Sequence, residues 1–388
     1  MNVRIAIVGG GVGGTLIANR LRHLLHGDSR RETQITVFDA AGTHTYQPGW
    51  LYVPFEQQDP RKLLRPERQL LQHNIALLSG EAGRVQRIIP ADKQLLTADG
   101  QMHPYDYLVL ATGSRNAPED VPGFAAAGGA DHFYSEEASV RLGEKLARFS
   151  GGRIVTGVAS VPYRCPPAPL EFTFLLEAAL RERGLREQTE LHYVFPINRP
   201  FPIETVSEFV APLLDQRGVQ VHTFFNVDSI DPERKVVSSL EGEDLEYDLL
   251  VLAPPHRGQQ LITDSGLGDR DGWIPTDRNT LHVKGYEDAN LFAVGDATDL
   301  PVSKSGSAAH YEGHIVAETI AAELQHRPVQ QQYHGRVACF LETGHSQATF
   351  LWFDYEHPPK PPKPRRLWHL EKAALNTFYW QLIPPARV

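Results

Sequence analysis

The chain has 388 residues, of which 41% are hydrophobic and 22% charged, a composition typical of a soluble globular protein with about two to three domains. Its formal net charge of −9 argues against non-specific binding to nucleic acid. No apolar run reaches the roughly 18 residues of a membrane-spanning helix. A predicted strand already begins at Val3, so we expect neither a membrane span nor a secretory signal peptide.

The N-terminal segment has the pattern of a βαβ dinucleotide-binding unit. An apolar run over 3–8 leads into the turn Gly9-x-Gly11-x-x-Gly14, and a helical pattern continues to about residue 25. A second strand over 34–38 ends at Asp39. The glycines permit close approach of the backbone to a pyrophosphate, the helix N-terminus supplies N–H donors, and Asp39 is placed to accept the ribose hydroxyls.

Strands and helices alternate along the rest of the chain, which predicts parallel sheets. Apolar strand-like runs cover 107–110, 153–156, 191–195, 249–253 and 291–294, and helical patterns cover 170–183 and 307–325. The alternation occurs twice. The predicted fold is therefore α/β, with two Rossmann-like units, the second inserted in the first. We place the first unit at 1–117 and 256–325, the second at 118–255, and a C-terminal region at 326–388.

The C-terminal region combines a proline-rich spacer with an amphipathic helix. Residues 358–364 read PPKPPKP, which predicts stiff, extended polyproline. The helix is predicted over 367–383, and its apolar side chains near one face are Leu367, Trp368, Leu375, Phe378, Tyr379 and Leu382. The basic residues that flank this face are Arg365, Arg366 and Lys372. Such a helix is typical of an interfacial membrane anchor; a helix packed on the protein core is the alternative.

Two later motifs favour FAD as the dinucleotide. The segments LVLATG (108–113) and LFAVGD (291–296) resemble the later fingerprints of two-dinucleotide-fold flavoproteins. In that family the aspartate of the last motif binds the ribityl chain. The resemblance implies that Thr112, Gly113, Gly295 and Asp296 bind FAD together with the N-terminal glycine turn and Asp39.

The second unit lacks the residues that hold a nicotinamide dinucleotide. Residues 151–162 read GGRIVTGVASVP, with no glycine triplet after the strand. The strand over 191–195 is followed by Pro196 instead of an acidic residue. Because the turn and the acid are both missing, we expect the flavin to take its electrons from a donor other than NADH.

The chain has two cysteines, Cys165 and Cys339, which do not suggest a structural disulfide framework. Cys165 lies where the NADH loop would be, after Arg164 and just before a predicted helix with a proline-rich start. The helix dipole, by about 0.3–1 kcal/mol, and Arg164 are expected to lower the thiol pKa toward neutrality. From these residues alone, two inert buried thiols are the alternative.

The cysteine motifs resemble those of the sulfide:quinone oxidoreductase family and of the flavin subunit of the related flavocytochrome c sulfide dehydrogenase. The segment CPPAPLEF (165–172) resembles the first cysteine motif, and VACFLETG (337–344) the second. The segment KSGSAAH (304–310) resembles a lysine-containing helix start near the flavin. The resemblance extends over nearly the whole chain. It implies that Cys165 and Cys339 form a redox pair and that Lys304 contributes to the flavin site.

The resemblance also implies a reaction for which two cysteines suffice. Sulfide, a soft nucleophile, attacks a disulfide or polysulfide bridge between Cys165 and Cys339, which leaves a persulfide on one and a thiolate on the other. An electron pair passes to FAD, a membrane quinone reoxidises the flavin, and sulfur leaves as polysulfide to an acceptor. Glu171 is a candidate proton acceptor; alternatively it is only a charge in the first turns of a helix.

Three features depart from the family pattern. The third cysteine of many bacterial members is absent from 132–138, which read HFYSEEA. The segment 43–50, which includes the candidate FAD contact Pro48, lacks the cysteine that binds FAD covalently in the flavocytochrome branch, so we predict non-covalent FAD. A histidine found in the second domain of several members is not evident in 196–201, so its role is not carried over.

The residues and the resemblance together predict a sulfide:quinone oxidoreductase that is peripheral (monotopic) on the cytoplasmic membrane. We expect no bound metal, and a homo-oligomer is possible. The candidate quinone-site residues are Phe340, Leu375, Phe378 and Tyr379. One alternative is a flavocytochrome-type subunit that reduces a cytochrome; the basic aromatic tail and the missing export signal argue against it. An NADH:quinone oxidoreductase is opposed by the missing glycine motif, and a non-catalytic flavoprotein by the cysteine pair.

Overall fold

The computed structural model describes residues 3–387; residues 1, 2 and 388, at the outer ends of the predicted segments 1–117 and 326–388, lie outside the described residues. The α-helices are α1 (Val12–Leu24), α2 (Gly27–Glu32), α3 (Glu136–Arg148), α4 (Ala168–Glu182), α5 (Glu204–Gln216), α6 (Gln260–Asp264), α7 (Gly306–Leu324) and α8 (Arg366–Leu382). The strands are β1 (Val3–Val8), β2 (Thr33–Phe38), β3 (Thr43–Thr45), β4 (Leu64–Pro66), β5 (Ala76–Leu78), β6 (Val85–Ile89), β7 (Gln94–Thr97), β8 (Met102–Pro104), β9 (Tyr107–Leu110), β10 (Ser114–Asn116), β11 (Gly152–Val158), β12 (Thr189–Phe195), β13 (Val219–Thr223), β14 (Val227–Asp231), β15 (Val236–Ser239), β16 (Asp244–Glu246), β17 (Leu249–Ala253), β18 (His256–Gly258), β19 (Leu291–Ala293), β20 (Val337–Glu342) and β21 (Ala348–Phe353).

The first parallel sheet has the strand order β19-β9-β1-β2-β5. β1 and β9 lie side by side with Val8 opposite Leu110, so the glycine turn after β1 and the Thr112 motif after β9 leave the same edge of the sheet. β19 pairs with β9 and brings Gly295 to that edge as well. α1 and α7 share a buried core with these strands, which includes Ile7, Leu16 and Val316.

The second parallel sheet has the order β13-β12-β11-β17, and its strands all lie between residues 152 and 253. α4 covers one face of this sheet with buried side chains that include Leu170, Phe172 and Leu176. Two parallel sheets with helices packed on them confirm the predicted α/β fold. On this basis we propose the division into 1–117 with 256–325, 118–255 and 326–388.

The C-terminal region consists of the antiparallel hairpin β20–β21, an extended proline-rich segment and α8. Residues 358–364 form neither helix nor strand, as expected of polyproline. The hydroxyls of Thr205 and Thr349 donate to the carbonyls of Pro359 and Pro362 at 2.6 and 2.7 Å. The segment is thereby held against α5 and the hairpin, and α8 returns to pack on both hairpin strands. Within residues 3–387, no helix combines the length and the hydropathy needed to cross a bilayer.

Candidate active site

The glycine turn after β1 is packed too tightly for any other residue at two positions. Gly9 has φ +107°, and a Cβ there would lie 2.3 Å from the Ala111 carbonyl oxygen. A Cβ at Gly14 would lie 1.9 Å from the Gly9 oxygen. A Cβ at Gly11, in contrast, would have no atom within 4 Å. The turn is therefore closed on the protein side and open on the other, as a backbone cradle for a pyrophosphate requires.

Asp39 helps to shape this turn. Its carboxylate accepts the Gly10 N–H at 2.6 Å and the Gly42 N–H at 2.9 Å. Because a carboxylate has about four lone-pair sites, these two bonds leave capacity for ribose hydroxyls. The predicted role of Asp39 as a ribose acceptor stays a proposal, and the structure adds a second role in which it orders the turn.

The two later motifs meet the glycine turn at the same edge. The Thr112 hydroxyl is buried and has no hydrogen-bond partner among residues 3–387. A Cβ at Gly113, which has φ +63°, would meet nothing within 4 Å. Burial raises the pKa of Asp296, although Arg164 and Lys304 oppose this. An unpaired buried hydroxyl, two open glycines and a buried aspartate at one sheet edge fit FAD.

Lys304 lies next to Asp296. Its ammonium group donates to the carbonyls of Asp296 and Thr298 at 3.0 and 2.8 Å, and it lies 3.7 Å above the ring of Trp273. Burial lowers the pKa of Lys304 to about 8.

Pro48 is exposed in a 3-10 helix over Gln47–Phe55, and the preceding Gln47 accepts from Arg164 at 3.1 Å.

Glu312 is a site residue that we did not predict from the sequence. It is fully buried on α7 and accepts the backbone N–H of Gly295, and burial raises its pKa to about 8. Its other carboxylate oxygen reaches no well-formed hydrogen bond among the described residues, although the Tyr333 hydroxyl interacts with the carboxylate. The sequence feature that could have identified Glu312 is its position as a single acidic residue on the apolar side of the helix predicted over 307–325.

The two cysteines both contact one short segment, 304–307, at the start of α7. The Cys165 N–H donates to the Lys304 carbonyl at 2.7 Å. On β20, the backbone N–H of Ala338 donates to the Ser307 hydroxyl at 2.9 Å, and the thiol of Cys339 interacts with the Ser305 hydroxyl. Both cysteines are free thiols, and Cys339 is close enough to influence the pKa of Cys165. The structure therefore brings the predicted pair together.

The prediction of a lowered pKa for Cys165 is wrong for this structure. Burial raises the pKa of Cys165 far above its usual value, with further contributions from Glu171 and Cys339. Burial likewise raises the pKa of Cys339 to about 12. The expected contribution of the helix dipole is small, because Cys165 lies three residues before the first residue of α4 and its φ is +52°. Desolvation of the thiolate therefore outweighs it.

Glu171 and Lys372 form a buried ion pair between α4 and α8. Glu171 also accepts the Glu342 N–H at 2.8 Å. Burial raises the pKa of Glu171, and Lys372 opposes this. Burial lowers the pKa of Lys372, but Glu171, Tyr52 and Glu342 together raise it well above its usual value. The prediction that Lys372 is a surface cation beside a membrane-facing stripe is therefore wrong.

The chain of polar contacts continues from this pair toward solvent. Glu342 lies in the strand of Cys339, and its carboxylate is 3.0 Å from Nδ1 of His369. The His369 side chain is 30% exposed, whereas Glu342 is buried. The Tyr52 hydroxyl donates to Glu342 at 3.4 Å. Polar and charged side chains thus connect the vicinity of the cysteines to the surface of α8.

The predicted quinone-site residues do not share one environment. Leu375 and Phe378 are exposed on α8, together with Leu367 and Leu370. Tyr379 is buried on another side of α8, and its hydroxyl lies 2.7 Å from Nε2 of His44. The proposed single face fails at Tyr379 because neighbouring residues in a helix are about 100° apart.

Phe340 lies apart from these residues, on the hairpin. It is half-buried, and its ring centre is 5.1 Å from that of Phe350, which stacks on Trp368 of α8 at 5.6 Å. Among the described residues, no group of three or more acidic, histidine or cysteine side chains is arranged to hold a metal ion.

The comparisons with known proteins agree with this geometry. A family model described as pyridine nucleotide-disulphide oxidoreductase matches residues 3–161. The chain is 25% identical over 396 residues to the mitochondrial sulfide:quinone oxidoreductase of Mus musculus, covering 98% of this chain and 86% of that protein. It is 27% identical over 364 residues to the protein of the same name from Dictyostelium discoideum, covering 91% and 78%. The X-ray structure of the sulfide:quinone oxidoreductase from the bacterium Aquifex aeolicus has the same fold, with a TM-score of 0.85 at 20% identity over 99% of this chain and 92% of that one.

Proposed function

The chain belongs to the sulfide:quinone oxidoreductase family, and from that premise we propose that it oxidises sulfide to polysulfide or sulfur through Cys165, Cys339 and FAD, and delivers the electrons to a membrane quinone. The observation that carries this proposal is that the backbone of Cys165 and the thiol of Cys339 both contact segment 304–307, whose Lys304 contacts the Asp296 motif. A pair of neighbouring thiols beside the proposed flavin site supports a redox role for them over a purely structural one.

The chemistry at the cysteines follows from thiol–disulfide exchange. Hydrosulfide attacks one sulfur of a Cys165–Cys339 bridge, the S–S bond breaks, and the products are a persulfide on one cysteine and a thiolate on the other. FAD, when bound, supplies the two-electron acceptor of the reaction. The residues that would hold it are the glycine turn, Asp39, Thr112, Gly113, Gly295, Asp296, Pro48 and Lys304.

Glu171 is the proposed proton acceptor near the thiols. Its negative charge contributes to the raised pKa of Cys165 and of Cys339, which indicates that it lies close to both. Lys372 stabilises the ionised carboxylate, so a proton released by hydrosulfide or a thiol has a basic oxygen nearby. The contacts from Glu171 through Glu342 to His369 lead toward solvent.

The electron acceptor is proposed from the C-terminal helix. Leu367, Leu370, Leu375 and Phe378 form an exposed apolar face on α8, which we name the apolar face. Arg365 and Arg366, at the start of α8, are also exposed. Apolar and basic side chains together fit the interface of an anionic membrane, and this supports a peripheral location on the cytoplasmic membrane with access to quinone.

The proposal is tested by steady-state reduction of a short-chain quinone by sulfide. We expect Cys165→Ser and Cys339→Ser each to abolish turnover while retaining FAD, since a hydroxyl cannot form the disulfide bridge. Either variant turning over at the wild-type rate would exclude the cysteine mechanism. FAD is expected to pass a filter after denaturation, because residues 43–50 contain no cysteine.

A further inference from the structure

His256 is a buried histidine whose ring nitrogens lack proper partners. It lies at the start of β18 and is 4% exposed. The Pro254 carbonyl lies near the ring, but neither nitrogen reaches hydrogen-bond geometry with any residue in 3–387. Leaving a buried polar group without a partner costs about 1–3 kcal/mol, so such a group indicates a small bound partner.

The ring of His256 belongs to a cluster that surrounds the residue before Cys165. Antiparallel pairing of β10 with β18 sets His256 opposite Asn116, and the Asn116 side chain accepts from Arg164 at 2.6 Å. The His256 ring meets that of Tyr134 edge-on at 5.1 Å, and the Tyr134 hydroxyl donates to the Arg164 carbonyl at 3.1 Å. His256 is thus one aromatic ring away from the Cys165 loop.

Arg164 supplies a second unpaired donor in this cluster. Its Nε–H is buried and has no acceptor within the described part of the chain, although its terminal nitrogens bind Asn116 and Gln47. Burial lowers the pKa of His256 to about 2, and the positive charges of Arg164 and Lys304 act in the same direction. A neutral imidazole has one N–H donor. The cluster therefore offers two N–H donors in a cationic surrounding, beside the ring of Tyr134.

We propose that Arg164 and His256 line a binding site for a small monovalent anion beside the Cys165 loop. Two buried N–H groups without acceptors, on residues near enough to interact electrostatically, favour an anion together with the positive charge, and the burial of the site favours a small one. In the reaction proposed above this anion is hydrosulfide. The identity of the anion rests on the proposed function, whereas the presence of the site does not.

The test uses azide, a small monovalent anion, titrated into the holoenzyme by calorimetry at constant ionic strength. His256→Phe keeps the ring against Tyr134 and removes both nitrogens. We expect it to weaken azide binding by about tenfold to a hundredfold, the loss of one hydrogen bond to a charged group. The control His282→Phe replaces a histidine beside Phe292, away from the Cys165 loop, and should leave azide affinity unchanged.

Arg164→Met removes the other donor and should weaken azide binding independently. Equal azide affinity in wild type and His256→Phe, or no azide binding in wild type, would overturn the site. Loss of FAD from His256→Phe would also overturn it, because the ring nitrogens would then belong to the flavin site. If azide behaves as expected but sulfide fails to reduce wild-type flavin, the anion site stands and only its assignment to hydrosulfide falls.

Discussion

The ammonium group of Lys372 and the carboxylate of Glu171 form an ion pair inside the protein, with side-chain exposures of 10% and 3%. The two residues are 201 positions apart in sequence. The pair connects α8, which carries the apolar face, to α4, the helix that follows Cys165. The proposed membrane-binding and sulfide-oxidising elements are therefore in direct contact.

Removing one partner of this pair should destabilise the protein strongly. We expect Lys372→Met to lower the free energy of unfolding by about 3–5 kcal/mol, because an uncompensated carboxylate is left buried. Adding Glu171→Gln should restore part of that loss. Urea unfolding measures both, with exposed Lys360→Met as the control. A Lys372→Met variant as stable as the control would contradict the buried pair.

Both thiols should react slowly at neutral pH. Because burial raises the pKa of Cys165, and that of Cys339 to about 12, few thiolates are present. In each single Cys→Ser variant, reduced under anaerobic conditions, the rate of alkylation by iodoacetamide should still be rising at the highest pH at which the protein stays folded. A plateau near neutral pH would restore the original expectation of an activated thiolate.

Glu312 should make stability fall as the pH rises. Its pKa is raised from 4.5 to about 8, so between these values the folded state holds a proton that the unfolded state has lost. The contribution of Glu312 to the free energy of unfolding is fully present below pH 4.5. It declines as the pH rises to 8, by at most about 1.4 kcal/mol per pH unit. Unfolding of Glu312→Gln should show a shallower decline than wild type. Exposed Glu371→Gln should keep the wild-type slope, and a wild-type slope in Glu312→Gln would refute the assignment.

The apolar face should drive membrane binding. Leu370 and Phe378 are 52% and 53% exposed, so replacing both with serine removes membrane contacts without opening the core. Deletion of 365–388 is a poorer test, because it also removes the buried Lys372 and Tyr379. Burial of one such side chain in the membrane contributes about 1.5–3 kcal/mol. The affinity for anionic vesicles, measured by co-sedimentation, should therefore fall by about tenfold or more in the double variant. Leu240→Ser, at a still more exposed site elsewhere, should bind as wild type; equal binding by all three proteins would exclude the role of α8.

Local sequence patterns predicted much of the fold. The roles of residues that depend on tertiary contacts were not predicted. The strand over 3–8, the turn after it and the helix of α4 follow from periodicity and glycine spacing, which act over a few residues. The role of Lys372 depends on a partner 201 residues away, which no helical pattern reveals. The direction of the Cys165 pKa shift depends on desolvation, a property of the folded surroundings that outweighs a dipole contribution of about 0.3–1 kcal/mol.

The central claim is that sulfide, rather than NADH, reduces the flavin through the two cysteines. The direct measurement is anaerobic mixing of the purified holoenzyme with each donor, followed by flavin absorbance. We predict rapid bleaching by sulfide, none by NADH, and none by sulfide in Cys165→Ser or Cys339→Ser with FAD still bound. Bleaching by NADH but not by sulfide would contradict the account.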